Sequence, residues 1–301
     1  MTLVFIVGAT ATGKSELSLQ VAEALRGEIV NADSMQLYRG MDIGTAKLSE
    51  VERRGIPHHL IDVLEVNQDA SVAEYQSLAR SQIDELLSQG KAAIVVGGTG
   101  LYVKAILDEL NFPDTDPEVR ARLSLEAERV GPAIIHQRLA KLDPAAAAAI
   151  PMANVRRVVR ALEVIEITGK PFTANLPRGG ATYYPDAKQF GLVMQRNDLK
   201  ERIDLRVDRM WEAGFVDEVR ELIDFGIREG KTAKAALGYK QILSFLSGEC
   251  SESEAKEETK RATRAYARRQ ETWFSRDVRI KWLKGSSSER LDSILSSTIG
   301  R

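Results

Sequence analysis

Short apolar runs alternate with amphipathic stretches in the first third of the chain. The runs LVFIV at 3–7 and AAIVV at 92–96 are continuous and largely β-branched, which is typical of strands buried on both faces. After the first run, Leu17, Val21 and Leu25 form one apolar helical stripe. Strands that alternate with helices in this way predict a parallel sheet covered by helices on both faces.

Further segments extend this pattern. Residues 72–89 predict a helix with Ser71 as its N-cap and Gly90 at its C-terminal end. Additional strands are predicted within the segments EIVN at 28–31, HHLIDVLEV at 58–66, FGLVM at 190–194 and VRIKWL at 278–283.

The pattern of apolar and polar residues changes near residue 111. Helical patterns follow at 118–130, 133–141 and 154–168, and the last of them stops at Gly169 before Pro171. The alanine run at 145–149 predicts a further turn of helix. We therefore predict a P-loop NTPase-like α/β core over 1–110 and 190–301, with a helical C-terminal part, and a mostly helical insertion over 111–189.

Composition narrows the class of protein. The 301 residues are 44% hydrophobic and 28% charged with a net charge of −1, which indicates a globular chain and still permits a local basic groove. Cys250 is the only cysteine, so a disulfide within the chain and a cysteine-based zinc site are excluded. Apolar runs stay strand-sized and no targeting segment is recognised, so we expect a cytoplasmic protein without a membrane span.

The first strand runs into a sequence with the spacing of a phosphate-binding loop. Glycines permit the tight backbone, amide N–H groups face an anion, Lys14 neutralises charge, and Ser15 is placed to reach Mg²⁺. The predicted anion-binding residues are Gly8, Ala9, Thr10, Ala11, Thr12, Gly13, Lys14 and Ser15.

Two polar residues follow other predicted strands. Asp33 comes after EIVN, and Thr99 lies in GGTG after AAIVV, where a nucleotide hydrolase would usually carry an Mg²⁺-binding carboxylate. Because ligands bind beyond the carboxyl ends of parallel strands, we expect both residues to face the loop. Such a site suits either a small-molecule kinase or a transfer reaction whose leaving group is diphosphate, and spacing alone does not separate them.

Several motifs together resemble those of tRNA dimethylallyltransferases (tRNA isopentenyltransferases). The resemblance covers residues 3 to about 283 and rests on GATATGKSELS, NADSMQLYRGMDIGTAK, GIPHHLIDV, VVGGTGLYVKAI, RRVVRALEV, ALGYKQI and YARRQETWF. Ala9 departs from the proline that is common in this family. The position shapes the loop and supplies no side-chain chemistry.

The resemblance implies an activity and a set of roles. A dimethylallyl group would pass from dimethylallyl diphosphate to the exocyclic N6 amine of an adenine beside the anticodon of tRNA, with Mg²⁺ as cofactor. Asp33 would then be the general base, although the residue type also suits an N-cap or an Mg²⁺ ligand. Thr99 would donate to the diphosphate or simply serve its turn. Arg120 would add a further donor, with Arg122 as the alternative.

The same resemblance implies contacts with the tRNA anticodon arm. We also expect the protein to act as a monomer. The implied residues are Asp33, Ser34, Met35, Gln36, Arg156, Arg157, Arg160, Gly238, Tyr239, Lys240, Gln241, Arg264 and Arg268. For the arginines, the helical spacing is equally compatible with a solvated face. Trp273 and Phe274 are expected to belong mostly to the core, and His58 and His59 to be structural or to line the substrate site.

Three alternatives stay open on the sequence. The enzyme could prenylate free adenosine phosphate, it could be an ATP-dependent kinase, or it could bind RNA without catalysis. The predicted insertion and the basic segment at 260–276 favour tRNA over a free nucleotide. The DSMQLY…TAK block has no explanation in a kinase.

Overall fold

The computed structural model describes residues 2–175 and 181–299. Residues 176–180 of the predicted insertion lie outside this described part. Its strands are β1 (Leu3–Gly8), β2 (Glu28–Asn31), β3 (His58–His59), β4 (Ala93–Gly97), β5 (Lys188–Leu192) and β6 (Ile280–Leu283). Its α-helices are α1 (Lys14–Leu25), α2 (Val72–Ser88), α3 (Gly100–Leu107), α4 (Pro117–Leu142), α5 (Pro144–Ala149), α6 (Val155–Thr168), α7 (Arg196–Glu212), α8 (Phe215–Asp224), α9 (Tyr239–Leu246), α10 (Glu252–Phe274) and α11 (Ser287–Ile299).

These strands pair in parallel in the order β3-β2-β4-β1-β5-β6, which confirms the predicted fold class. β1 lies inside the sheet, where Ile6 pairs with Val96 on one side and with Phe190 on the other. Because the strands run the same way, the loops after β1, β2 and β4 emerge at one edge of the sheet.

The continuous apolar runs are buried as the pattern predicts. Val4 and Ile6 belong to a cluster that also includes Leu17 of α1 and Ile294 of α11. Phe5, between Val4 and Ile6, points to the other face and is fully buried there. The two faces of the sheet therefore need helices on both sides.

The predicted third strand is much shorter than its apolar run. Only His58 and His59 pair with β2, opposite Ile29 and Val30. Leu60 and Asp62 then adopt positive φ angles of 59° and 57°, which are incompatible with a strand. The chain consequently leaves the sheet after His59.

Residues Leu107–Tyr183 form a compact unit separate from the unit made by Met1–Ile106 and Tyr184–Arg301. In this smaller unit, α4, α5 and α6 share a buried cluster that includes Leu123, Leu139 and Leu162. α4 is broken at Gly131, whose φ of 81° separates the two helices predicted on either side of it.

Candidate active site at the carboxyl edge of the sheet

The loop between β1 and α1 has the backbone that its glycines allow. Gly8, Ala11 and Gly13 have φ angles of 142°, 64° and 92°. The Thr12 hydroxyl and the Lys14 ammonium both donate to the Ala9 carbonyl, at 2.8 Å and 2.7 Å. A loop that turns in this way into a helix N-terminus can present several backbone N–H groups to one anion.

The charge of Lys14 is set by its surroundings. Burial lowers the pKa of Lys14 to about 8, the carboxylate of Asp33 opposes that shift, and the guanidinium of Arg206 adds to it. The charges of Asp33 and Arg206 therefore shift the pKa of Lys14 in opposite directions. The loop, the end of β2 and a residue of α7 form one electrostatic site.

The turns that carry Asp33 and Thr99, at the ends of β2 and β4, are joined by hydrogen bonds. One Asp33 oxygen accepts the N–H of Met35 at 3.0 Å, which orders the turn after the strand. The Thr99 hydroxyl accepts the N–H of Ser34 at 3.1 Å and donates to the Ser34 hydroxyl at 3.3 Å. The predicted convergence on one edge is thus present in the geometry, while the catalytic roles of both residues stay predictions.

The sequence interpretation missed Arg206. This arginine of α7 donates to the carbonyl of Thr45 at 3.3 Å, and its burial lowers its pKa while Asp33 opposes that shift. Together with Lys14 and Ser15 it lines a cavity of about 820 Å³. The available signal was helical spacing, because Arg206 lies four residues after Arg202 and therefore on the same face of α7.

Arg120 and Arg122 have partners inside the smaller unit. The carboxylate of Glu163 is fully buried and pairs with Arg120 at 2.9 Å and with Arg160 at 3.0 Å. Arg122 pairs with Glu166. Removing a partner from a buried carboxylate is costly, so Arg120 has a structural task in its own unit, and its predicted contact with diphosphate stays a prediction.

The cavity next to the loop is lined by cations, carboxylates and apolar side chains. Cations come from Lys14, Lys47, Arg202, Arg206 and Arg209, and carboxylates come from Glu16, Asp42 and Glu52. Lys47 pairs with Asp42 at 2.5 Å. Apolar side chains come from Ile43, Leu48, Leu205 and Met210. A small molecule with an anionic end and a hydrocarbon end matches this combination, because the charged end can meet the cations while the other end leaves water.

Gln270 of α10 connects two loops of the site and was also missed. Its side chain is buried, accepts the N–H of Thr10 at 2.9 Å and donates to the carbonyl of Gly98 at 2.8 Å. An amide can donate and accept at once, so this residue type satisfies both buried backbone groups. Gln270 thereby fixes the distance between the anion loop and the turn that carries Thr99.

Replacing Gln270 tests this connection. In Gln270→Glu the carboxylate still accepts from Thr10 but no longer donates to Gly98, so we expect a loss of roughly 1–3 kcal/mol in the free energy of unfolding, measured by urea denaturation. We also expect weaker binding of inorganic diphosphate. The control is Gln137→Glu on the exposed face of α4. Equal stabilities of the two variants would contradict the assigned role.

Tyr239 does not fit its predicted contact with tRNA. The ring is fully buried beside Phe215, and the hydroxyl donates to Glu218 at 2.6 Å. Glu218 in turn accepts the N–H of Ile43 at 2.6 Å, so Tyr239 supports the segment that carries Thr45. Direct contact with RNA is wrong for this side chain because burial keeps it from the surface.

Its neighbours differ in exposure. Gly238 is buried at the start of α9, and its N–H is bound by the Gln241 side chain at 2.9 Å. Lys240 is exposed and keeps its ammonium at the surface. Of the motif Gly238–Gln241, Lys240 is therefore the residue best placed to meet a phosphate, and that contact stays a prediction.

The predicted basic residues are of two kinds. Arg156, Arg157 and Arg268 are exposed. Arg160 is paired with Glu163, and Arg264 pairs with Asp204 at 2.5 Å. Exposed arginines without a carboxylate partner are the better candidates for RNA phosphates, because paired ones would first lose their ion pair.

The end of α10 departs from the expected core. Phe274 is buried as predicted, whereas the Trp273 side chain is 44% exposed. Gln36 was predicted to contact tRNA. Its side-chain amide donates to the Thr45 carbonyl at 3.2 Å, and Arg206 donates to the same carbonyl.

The adjacent histidines are structural in this fold. His59 bonds to Glu28 at 2.6 Å, and the Nδ1 of His58 lies 2.8 Å from the carbonyl of Ile56.

Within residues 2–175 and 181–299, no group of three or more His, Cys, Asp or Glu side chains could hold a metal ion. No helix of that described part is long and apolar enough to span a bilayer.

The parallel sheet, with polar loops gathered at its carboxyl edge, defines a P-loop-like α/β protein. A family model described as IPP transferase matches residues 36–277. The chain belongs to the IPP transferase family.

Individual relatives are similar over nearly the whole chain. A protein of Thermobifida fusca named tRNA dimethylallyltransferase is 60% identical over 296 residues, covering 97% of this chain and 92% of its own. A protein of the same name from Streptomyces griseus is 59% identical over 288 residues, covering 96% of this chain and 92% of its own.

Solved structures are similar as well. The tRNA isopentenylpyrophosphate transferase of Bacillus halodurans has a TM-score of 0.72 at 40% identity, covering 99% of this chain and 96% of its own. A eukaryotic dimethylallyltransferase acting on tRNA has a TM-score of 0.80 at 27% identity, covering 99% of this chain and 76% of its own.

Proposed function

We propose that this protein transfers the dimethylallyl group from dimethylallyl diphosphate to the N6 amine of an adenine adjacent to the anticodon in tRNA. The observation that carries the proposal is the glycine-rich loop Gly8–Ser15 with Asp33 and Thr99 at neighbouring strand ends, beside a cavity with cationic, acidic and apolar lining. The names of the relatives support the same reaction. We further propose that the enzyme acts in the cytoplasm as a monomer.

The loop Gly8–Ser15 holds the diphosphate that leaves. As the bond between the allylic carbon and the ester oxygen breaks, negative charge grows on the diphosphate and positive charge on the allyl group. Backbone N–H groups, Lys14 and Arg206 are fixed around that growing negative charge. Preorganised charges of this kind stabilise a transition state strongly, because they need no reorganisation during the reaction.

Asp33 accepts the proton of the attacking amine. The nitrogen forms a bond to the allylic carbon, the electron pair of the broken carbon–oxygen bond stays on diphosphate, and the N6 proton passes to the carboxylate. The Met35 N–H holds one Asp33 oxygen at 3.0 Å, which fixes the direction of the carboxylate. The adenine must leave its stack to reach this position.

Mg²⁺ fits the site through the substrate more than through the protein. Ser15 is exposed and lines the cavity, and the loop Gly8–Ser15 itself carries no carboxylate, although Glu16, Asp42 and Glu52 line the same cavity. Mg²⁺ commonly keeps water and binds one or two protein ligands together with substrate phosphates. We propose that Ser15 is such a ligand and that the ion, when bound, neutralises charge on the diphosphate.

The charge of Lys14 predicts a pH dependence. The pKa of Lys14 is lowered to about 8, so its ammonium is charged below that pH and neutral above it. Since diphosphate binds the charged form, we expect its affinity to fall as pH rises through about 8. Calorimetric titration of inorganic diphosphate between pH 7 and 9.5 measures this, and binding above pH 8 should take up protons.

Lys14→Arg is the matched control, because an arginine stays charged across the whole range. The variant isolates the pH dependence that comes from the ligand itself. If wild type and Lys14→Arg lose affinity in parallel, Lys14 does not govern the effect.

Labelled dimethylallyl diphosphate tests the reaction itself. The protein is incubated with the label and Mg²⁺, and with either unmodified tRNA or AMP as acceptor. Label that enters tRNA at the adenine beside the anticodon supports the proposal. Label found only in AMP assigns the free-nucleotide reaction, and phosphate transfer from ATP without prenyl transfer assigns a kinase.

A further inference from the structure

We propose that the exposed indole of Trp273 is a stacking platform for the unpaired base next to the target adenine in tRNA. The proposal rests on the function above and deepens it by naming a surface that positions the RNA. Trp273 lies in the last turn of α10, and the residue is 44% exposed, although tryptophan carries a large apolar ring.

One side of the indole is held by the first turn of α3. A Cβ placed on Gly100 would lie 2.1 Å from Cδ1 and 2.2 Å from Nε1 of Trp273, so glycine is required for this close approach. The next residue, Leu101, is also exposed, at 40%. The close approach of the Gly100 backbone covers one side of the ring, and the exposed Leu101 is the next residue in the chain. We call the exposed surface of Trp273 and Leu101 the patch.

The patch is bordered by cations. Arg269 precedes Trp273 by one helical turn, and its guanidinium carbon lies 5.6 Å from the ring centroid of Tyr266. Arg276 follows Trp273 by three residues, and Lys104 follows Leu101 by three. All three side chains are exposed, and Lys104 is among the cations that lower the pKa of the Asp277 carboxyl. Aromatic surface with exposed cations suits a nucleic acid, whose bases stack and whose phosphates are negative.

The platform is continuous with the active site. Tyr266, Gln270 and Trp273 follow each other at spacings of four and three, so they share one face of α10. Gln270 contacts the backbone of Thr10 and Gly98, and the burial of Tyr266 together with the charge of Asp33 raises its pKa to about 12. When an adenine is extruded towards Asp33, the neighbouring base is left with one unstacked face. Trp273 lies one helical turn after Gln270, which binds the turn that carries Thr99.

The test uses the full-length protein, dimethylallyl diphosphate and an unmodified anticodon stem–loop RNA. Trp273→Ala should raise the Kd and KM for this RNA about tenfold and leave kcat within about twofold, since loss of base–aromatic stacking weakens binding by about this amount. Trp273→Phe should keep most of the affinity, and Trp273→Leu should not. Phe225→Ala removes another exposed aromatic side chain, 67% exposed after α8, and should change neither constant.

Abasic RNAs identify the base that stacks. RNAs that lack the base before or the base after the target adenine are compared. One of the two should bind the wild-type protein more weakly, and with that RNA Trp273→Ala should cause no further loss of affinity. Additive losses, or unchanged binding by Trp273→Ala, would overturn the platform. If the alanine variant does not fold, equal affinities of Trp273→Phe and Trp273→Leu would overturn it. Failure of the proposed function is seen separately, as absence of prenyl transfer to any RNA by the wild-type protein.

Discussion

Asp33→Asn lowers kcat for prenyl transfer by about 10²-fold or more, with little change in tRNA affinity. Asparagine has nearly the same shape and can still accept the Met35 N–H, so the turn after β2 is kept. It cannot take a proton from the attacking amine. General-base catalysis typically contributes roughly 10²–10⁴-fold, which sets the expected size of the loss. Single-turnover rates with saturating RNA and dimethylallyl diphosphate measure it.

A second effect of this substitution has to be separated. The Asp33 carboxylate raises the pKa of Lys14, so its removal lets that pKa fall further below its ordinary value. The comparison is therefore made at pH 6.5, where the ammonium stays charged, as well as at pH 8. Asp33→Ala should lose as much turnover as Asp33→Asn. A loss below about threefold in Asp33→Asn at both pH values would exclude Asp33 as the base.

Arg206→Gln lowers kcat/KM for dimethylallyl diphosphate by roughly 10²–10³-fold. Loss of one preorganised donor at a site of developing negative charge commonly has this effect. The glutamine keeps some hydrogen-bonding capacity towards the Thr45 carbonyl, so the change isolates the charge. Initial rates with varied diphosphate donor and fixed RNA give the value.

Arg209→Gln is the matched control. Arg209 lies on the same helix and lines the same cavity but is exposed, so water and salt screen its charge. We expect a loss below about threefold that shrinks further at high salt. If Arg209→Gln loses more kcat/KM than Arg206→Gln, the diphosphate contact belongs to Arg209 at the rim of the cavity.

The Arg206 variant also has a pH signature. Arg206 lowers the pKa of Lys14, so its removal raises that pKa. The fall in diphosphate affinity with rising pH should accordingly begin at a higher pH in Arg206→Gln than in the wild type. This shift separates a direct electrostatic link between the two cations from a general loosening of the site.

The loop Gly8–Ser15 shows how far local sequence reaches. Its glycines stand where positive φ is needed, and the apolar run before it specifies a strand buried on both faces, so loop and strand were predictable together. The break of α4 at Gly131 was predictable for the same reason. These features depend on the backbone freedom and polarity of neighbouring residues.

Other parts of the site depend on residues far apart in the chain. Gln270 is 260 residues from Thr10, and Arg206 acts on Lys14 across a comparable separation. A glutamine or arginine on an amphipathic helix carries no local mark of such a partner. The position of the C-terminal helix α11 also depends on distant residues. Its serine-rich sequence does not show which face is buried, and the structure shows that Ile294 packs in the buried cluster that includes Val4 and Ile6 of the sheet.

The sequence alone therefore determined the parallel α/β class, the anion loop and the presence of Asp33 and Thr99 at strand ends. Hydrophobic periodicity and turn-forming residues depend only on neighbouring positions in the chain. The tertiary structure decided which cation joins Lys14, which amide fixes the loop, and which aromatic side chains are buried. Tyr239 belongs to the core and Trp273 to the surface because neighbours from distant segments cover one ring and leave the other open.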